Sequence, residues 1–122
     1  MKEQKTTAVF GSSVKPMRFS FKAINKLRQN GHPVRALGLR EGKVADVDIQ
    51  TGKPELDDVH TVTMYLGPQN QPEYYDYIKS LKPKRVIFNP GTENNEFANM
   101  LKEDGVEVVE YCTLVMLDMD MF

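Results

Sequence analysis

Between Gly11 and Arg18 the chain reads Gly11-Ser12-Ser13-Val14-Lys15-Pro16-Met17-Arg18, which places a glycine, two small hydroxyl residues and two cations within eight positions. A glycine lets another group approach the backbone closely. Serine hydroxyls and backbone N–H groups donate hydrogen bonds, and the cations at Lys15 and Arg18 attract negative charge. If a helix begins just after Arg18, its first N–H groups point outward without partners and favour an anion. These are parts suited to a phosphate. The segment matches neither the G-x-G-x-x-G dinucleotide fingerprint, because no second glycine follows Gly11 at the required place, nor the G-K-[ST] of a P-loop.

A second position bears on the same chemistry. In dinucleotide-binding α/β domains the end of the second strand supplies an acidic residue for the ribose of NAD. Here that place reads Leu39-Arg40-Glu41. Arg40 suits a phosphorylated ribose, and a register shift of one residue to Glu41 restores the acidic alternative.

The remaining reactive residue types look structural. His32 lies between Gly31 and Pro33, and His60 sits beside Val59 and Val62, where a ring is held by a hydrogen bond inside a fold. Two histidines so placed make no metal pair. Cys112 follows the last strand pattern, where a small packing thiol is the ordinary reading and contact with an acyl group the sharper one. Tyr74, Tyr75 and Tyr77 fall on a helix stripe rather than a stacking platform. No paired carboxylates or Ser-His-Asp set stands at interpretable spacing. The residues read as a binding site without reaction machinery.

The elements that would position this site alternate. Thr6–Phe10 is a short apolar run ending at Gly11, a strand feeding a turn. Phe21, Ile24 and Leu27 share one helical face from Ser20 to the Asn30-Gly31 stop. Residues 33–39 resume a strand. The polar stretch from Arg40 to Asp58 predicts a loop with one small hairpin around Val44, Val47 and Ile49. Val59–Leu66 is a third strand, and a helix opening near Asn70 buries Tyr74, Ile78 and Leu81. Arg85–Phe88 is a fourth strand, Thr92 caps a helix burying Phe97 and Leu101, and Val106–Val109 is the fifth. The tail from Tyr111 to Phe122 is apolar and rich in methionine, which suits packing on its own chain. Strands alternating with helices call for right-handed crossovers. The expected fold is α/β, a single Rossmann-like domain over residues 1–122, with a doubly wound parallel sheet of about five strands covered by helices on both faces. Ligands then bind beyond the carboxyl ends of the strands, beside strand one.

Bulk properties narrow the classes. The 122 residues suffice for one core and not for two. A net charge of −1 gives no electrostatic case for nucleic acid. One cysteine makes no internal disulfide, no apolar run follows Met1-Lys2-Glu3-Gln4-Lys5 as in a leader, and no stretch reaches the roughly 20 apolar residues of a membrane span. A soluble, cytoplasmic protein is expected, without membrane or nucleic-acid partners.

Further residues then align into one pattern: Gly11-Ser12-Ser13, Lys15-Pro16, Arg18-Phe19-Ser20 leading into a helix, Tyr65-Leu66-Gly67-Pro68, Phe88-Asn89-Pro90-Gly91 and Tyr111-Cys112. Over Thr7 to Leu117 the chain resembles the small CoA-binding domain proteins, which are similar to the amino-terminal CoA-binding domain of the succinyl-CoA synthetase alpha subunit. It departs from relatives that carry a tryptophan and glutamine where Phe88 and Asn89 stand, or an arginine before Pro68. The resemblance implies coenzyme A or an acyl-CoA, with phosphates on the Gly11 loop and the adenine end near strand two. Gly11, Ser12, Ser13, Lys15 and Arg18 carry over best, with Arg40, Pro68 and Gly91 completing the expected contacts. It implies non-catalytic binding with a regulatory or accessory role, toward a protein partner or as a homodimer. The alternative is an NADP-dependent oxidoreductase or redox-sensing domain, and a third reading is an interaction domain with a decayed site.

Overall fold

The computed structural model describes residues 3–122; Met1 and Lys2, the start of the segment read for a leader, lie outside the described residues. The sheet has seven strands: β1 (Thr7–Phe10), β2 (Val34–Leu37), β3 (Gly42–Val44), β4 (Val47–Gln50), β5 (Thr61–Met64), β6 (Arg85–Phe88) and β7 (Glu107–Glu110). Their order is β3-β4-β2-β1-β5-β6-β7. All neighbours run parallel except the β3/β4 pair. Helices are α1 (Phe19–Gln29), α2 (Tyr75–Ser80), α3 (Asn95–Glu103) and α4 (Thr113–Asp118).

All four residues of β1, β5 and β6 are buried, because each of these strands is covered on both faces. Alternate residues feed two cores. Ala8, Phe10, Val62, Met64, Val86 and Phe88 meet one helical layer through Tyr75 and Ile78 of α2 and Phe97 and Leu101 of α3. Val9, Ala36 and Ile49 face the other way, against Ile24 and Leu27 of α1 and Leu117 of α4. Each fully buried side chain of this size contributes about 1.5–3 kcal/mol over an exposed one. The α/β class and the doubly wound arrangement are those expected.

The polar stretch after β2 yields more order than a loop. Val44, Val47 and Ile49 point inward while Lys43, Asp48 and Gln50 stay exposed, so the β3–β4 hairpin adds two strands to the five expected. Ile49 pairs with Ala36, which carries the sheet two strands beyond β2, through β4 to β3. Arg28 on α1 holds the hairpin turn with two hydrogen bonds to the Asp46 carboxylate, both 2.9 Å.

Two local expectations are corrected, and the tail packs on its own chain as expected. Asn94, not Thr92, caps α3: its side chain accepts from Phe97 N at 3.0 Å, whereas the Thr92 hydroxyl donates to the Asn89 carbonyl. The helix expected from Asn70 is preceded by two 3-10 turns, 68–70 and 72–74, and α2 proper buries Tyr75 and Ile78, leaving Tyr74 half-buried at its start. The apolar tail contains α4, which packs against α1 of the same chain through Leu117, with Lys26 pairing Asp118.

Candidate functional site

Leaving β1 the chain crosses to β2 on one side of it, while β5 lies on the other, so the carboxyl ends of β1, β2 and β5 open a crevice at the reversal of strand order. A cleft of about 610 Å3 occupies this place. The turn after β1 forms its base. Gly11 and Ser12 both donate their N–H groups to the Leu37 carbonyl, at 3.0 and 2.8 Å. Gly11 has φ +87°, and a Cβ there would lie 2.9 Å from the carbonyl carbon of Tyr65, so both the backbone conformation and the close approach of β5 require glycine.

The two serines differ in what they can offer. Ser12 is buried and donates its hydroxyl to the Val9 carbonyl at 2.9 Å, which fixes the turn. Ser13 Oγ accepts from Lys15 N–H at 3.1 Å, leaving its hydroxyl proton to donate outward. α1 then begins at Phe19 with Arg18 in extended conformation at the cap position, no side-chain cap and no acid in the first turn. Its first N–H groups and the positive end of its dipole therefore face the cleft, which Phe19 and Ser20 line, with no capping side chain or first-turn acid among the described residues.

Cations surround this helix end. Lys15, Arg18 and Arg40 all line the cleft and are exposed. Among the described residues none of the three side chains has an ion-pair or hydrogen-bond partner, in contrast to Lys26, Arg28 and Lys79, which pair with Asp118, Asp46 and Asp104. Glu41 lines the same rim beside Arg40.

The far wall comes from the loops after β5 and β6. Gly91 lies there with φ +90° and open space around it, its N–H donating to Glu93 Oε1 at 2.9 Å. Gln71, fully buried, bridges the two loops by donating to the Leu66 and Thr92 carbonyls at 2.9 and 2.8 Å. Tyr65 forms part of the floor. Its hydroxyl is buried with no hydrogen-bond partner among the described residues; burial, with Cys112 adding, pushes the phenol pKa far up, and the nearby Thr113 and Thr63 hydroxyls oppose the shift.

A family model described as a CoA binding domain matches residues 5–118. The chain belongs to the CoA-binding domain family. A crystal structure described only as that of an uncharacterized protein is similar at 44% identity and a TM-score of 0.96, covering 99% of this chain and all of that one. Two further structures share the fold at 22% identity each. The cell-free ID.343 structure from Thermus thermophilus has a TM-score of 0.83, with 98% of this chain and 91% of that one covered. A hypothetical protein from Pyrococcus horikoshii OT3 has a TM-score of 0.85, with 95% and 83% covered. No curated protein matches the sequence.

Seven of the eight expected residues line this cleft: Gly11, Ser12, Ser13, Lys15, Arg18, Arg40 and Gly91. Pro68 does not line it; it starts the 3-10 turn behind Gly67, which does. Sequence reasoning missed Tyr65, Asn70 and Tyr74, which reach the cleft from the β5 side. The signal for Tyr65 lay in its place directly after a strand that ends at the switch point.

His32, His60 and Cys112, set aside earlier, lie outside the cleft, whereas Tyr74 lines it. His32 is buried, with Nδ1 accepting from Lys5 N at 3.0 Å and its ring 4.9 Å from that of Phe122. It borders a separate hollow of about 160 Å3 at the amino-terminal end of the sheet, remote from the switch point. His60 precedes β5 with its ring on the Thr61 hydroxyl. Cys112 is half-buried and does not line the cleft. Among the described residues no helix is long and apolar enough to cross a membrane, and no cluster of His, Cys, Asp or Glu could hold a metal ion.

Proposed function

We propose that this protein binds coenzyme A or an acyl-CoA in the switch-point cleft, without catalysing its conversion, as a cytoplasmic regulatory or accessory protein. The observation that supports this most is the uncapped start of α1 facing a cleft among three unpaired cations. A diphosphate placed at the Gly11 turn would accept from the free N–H groups of the first helical turn and from the Ser13 hydroxyl. Lys15 and Arg18 would add charge-assisted bonds. Arg40, at the rim beyond β2, would meet a phosphate on the ribose. Membership of the CoA-binding domain family supports CoA over other phosphate-bearing ligands. A homodimer, or a separate protein partner responding to the loaded state, is the accompanying reading.

The same Arg40 placement would serve NADP, which makes NADP the ligand to test beside CoA. Isothermal titration of ligand-stripped protein with each compound decides the matter. Saturable binding of CoA, with Lys15→Ala and Arg18→Ala each weakening it by about 1–3 kcal/mol, is expected. Binding of NADP alone would transfer the site to the dinucleotide users, and binding of neither would remove the proposal.

A further inference from the structure

The turn after β1 rests on two glycines that lie outside it. Gly38 follows β2, its N–H bonded to the Gln50 carbonyl at 3.0 Å, and a Cβ on it would collide with the Ser12 carbonyl oxygen. Gly42 opens β3, and a Cβ on it would collide with Val14 Cγ1. Neither glycine has a positive φ, so alanine fits both backbones and only the missing side chain matters. At Gly38 the opposing atom is backbone, which cannot swing away. At Gly42 it is a methyl of Val14, a side chain 49% exposed that takes no part in either core.

We propose that the β2–β3 connection positions the anion-binding loop, with Gly42 and Val14 as the contact that sets where Ser13, Val14 and Lys15 lie; this rests on the CoA reading of the cleft. Val14 sits between the two loop groups that face the ligand, the Ser13 hydroxyl and the Lys15 side chain. β-branching leaves its Cγ1 few rotamers in which to escape an added methyl, so the displacement passes into the backbone. The hairpin that presents Gly42 is itself anchored to α1 by the Arg28 and Asp46 pair. The loop and α1 are thereby tied to the same hairpin, through Val14 at one end and the last turn of α1 at the other.

A double-mutant cycle tests this contact. Gly42→Ala is expected to weaken CoA binding about tenfold while the thermal midpoint stays near that of the wild type. In a Val14→Ala background, where the opposing methyl is gone, the same Gly42→Ala change is expected to cost no further affinity. Undiminished affinity in G42A, an equal loss in the V14A background, or failure of G42A to fold would each overturn the proposal, the last because the contact would then hold the strand and not the loop. If wild-type protein does not bind CoA, the ligand reading falls by itself. The positioning claim is then decided on unliganded protein by the amide chemical shifts of Ser13, Val14 and Lys15: displaced by G42A and not by G42A within V14A supports it, and unmoved by either overturns it.

Discussion

Gln71 Nε2 donates to the Thr92 carbonyl at 2.8 Å, and through this bond the loop after β5 is tied to the loop after β6 beneath the cleft. The same nitrogen donates to Leu66 O, and Gln71 Oε1 accepts from Asn94 at 3.0 Å, so every polar atom of a fully buried side chain is engaged. Gln71→Ala would leave the buried Thr92 carbonyl without its donor and open a void. A loss of roughly 2–3 kcal/mol is expected, read from the urea midpoint. A loss under about 0.5 kcal/mol would mean that water replaces the side chain without cost.

Gln71 also marks the limit of what was legible. Its neighbours Asn70 and Pro72 read as a helix start, and nothing in a single sequence distinguishes a glutamine that faces solvent from one that bridges two loops. Strands β1, β5 and β6 were legible because burial on both faces leaves unbroken apolar runs. The β3–β4 hairpin was half legible: Val44, Val47 and Ile49 alternate, but over too few residues to stand against the surrounding polarity. The Gly11 turn was legible because its chemistry is local to eight consecutive positions. Tyr65 and Tyr74 were not, since their approach to the cleft depends on strand order and on two 3-10 turns. The sequence offers two capping residue types, Thr92 and Asn94, within one turn, and only the geometry decides for Asn94 over the expected Thr92.

Asn89 organises the polar layer under the cleft. Its Nδ2 donates to Thr63 Oγ1 and the Met64 carbonyl at 2.7 and 2.8 Å, and its Oδ1 accepts from Thr113 N at 2.8 Å, which seats the start of α4 on β5 and β6. Asn89→Ala would orphan a buried donor and a buried acceptor together. The expected cost is on the order of 3 kcal/mol, measured by denaturant unfolding. Native-state hydrogen exchange would locate it: faster exchange of the Thr113 amide is expected, and unchanged protection there would count against this role.

Arg40 gives a ligand-specific test. It is exposed, lines the cleft and has no partner among the described residues, so its removal should leave the fold intact. If it meets the ribose phosphate, Arg40→Ala weakens CoA by about 1–2 kcal/mol and leaves dephospho-CoA unaffected. The difference should shrink at high salt, since exposed charges are screened over roughly 8 Å at physiological ionic strength. Equal weakening of both ligands would move Arg40 to the diphosphate.

His60 makes the protein's stability depend on pH in a stated direction. Arg85 Nε donates to Thr61 Oγ1 at 3.0 Å, and the Thr61 hydroxyl lies 2.8 Å from His60 Nδ1. The Thr61 oxygen accepts from Arg85 and keeps its proton free, so a neutral ring with Nδ1 unprotonated can accept from it. Burial, and then the positive charge of Arg85 with Lys5 and Lys84, lower the His60 pKa from its ordinary 6.5, while Glu3 opposes them. The unfolded chain therefore binds a proton more readily than the folded one, and the stability present above pH 6.5 is lost as pH falls through that value toward the folded pKa. His60→Gln is expected to flatten the decline of the denaturation midpoint between about pH 7 and pH 5. An unaltered slope in the variant would show that another group accounts for the acid sensitivity in that range.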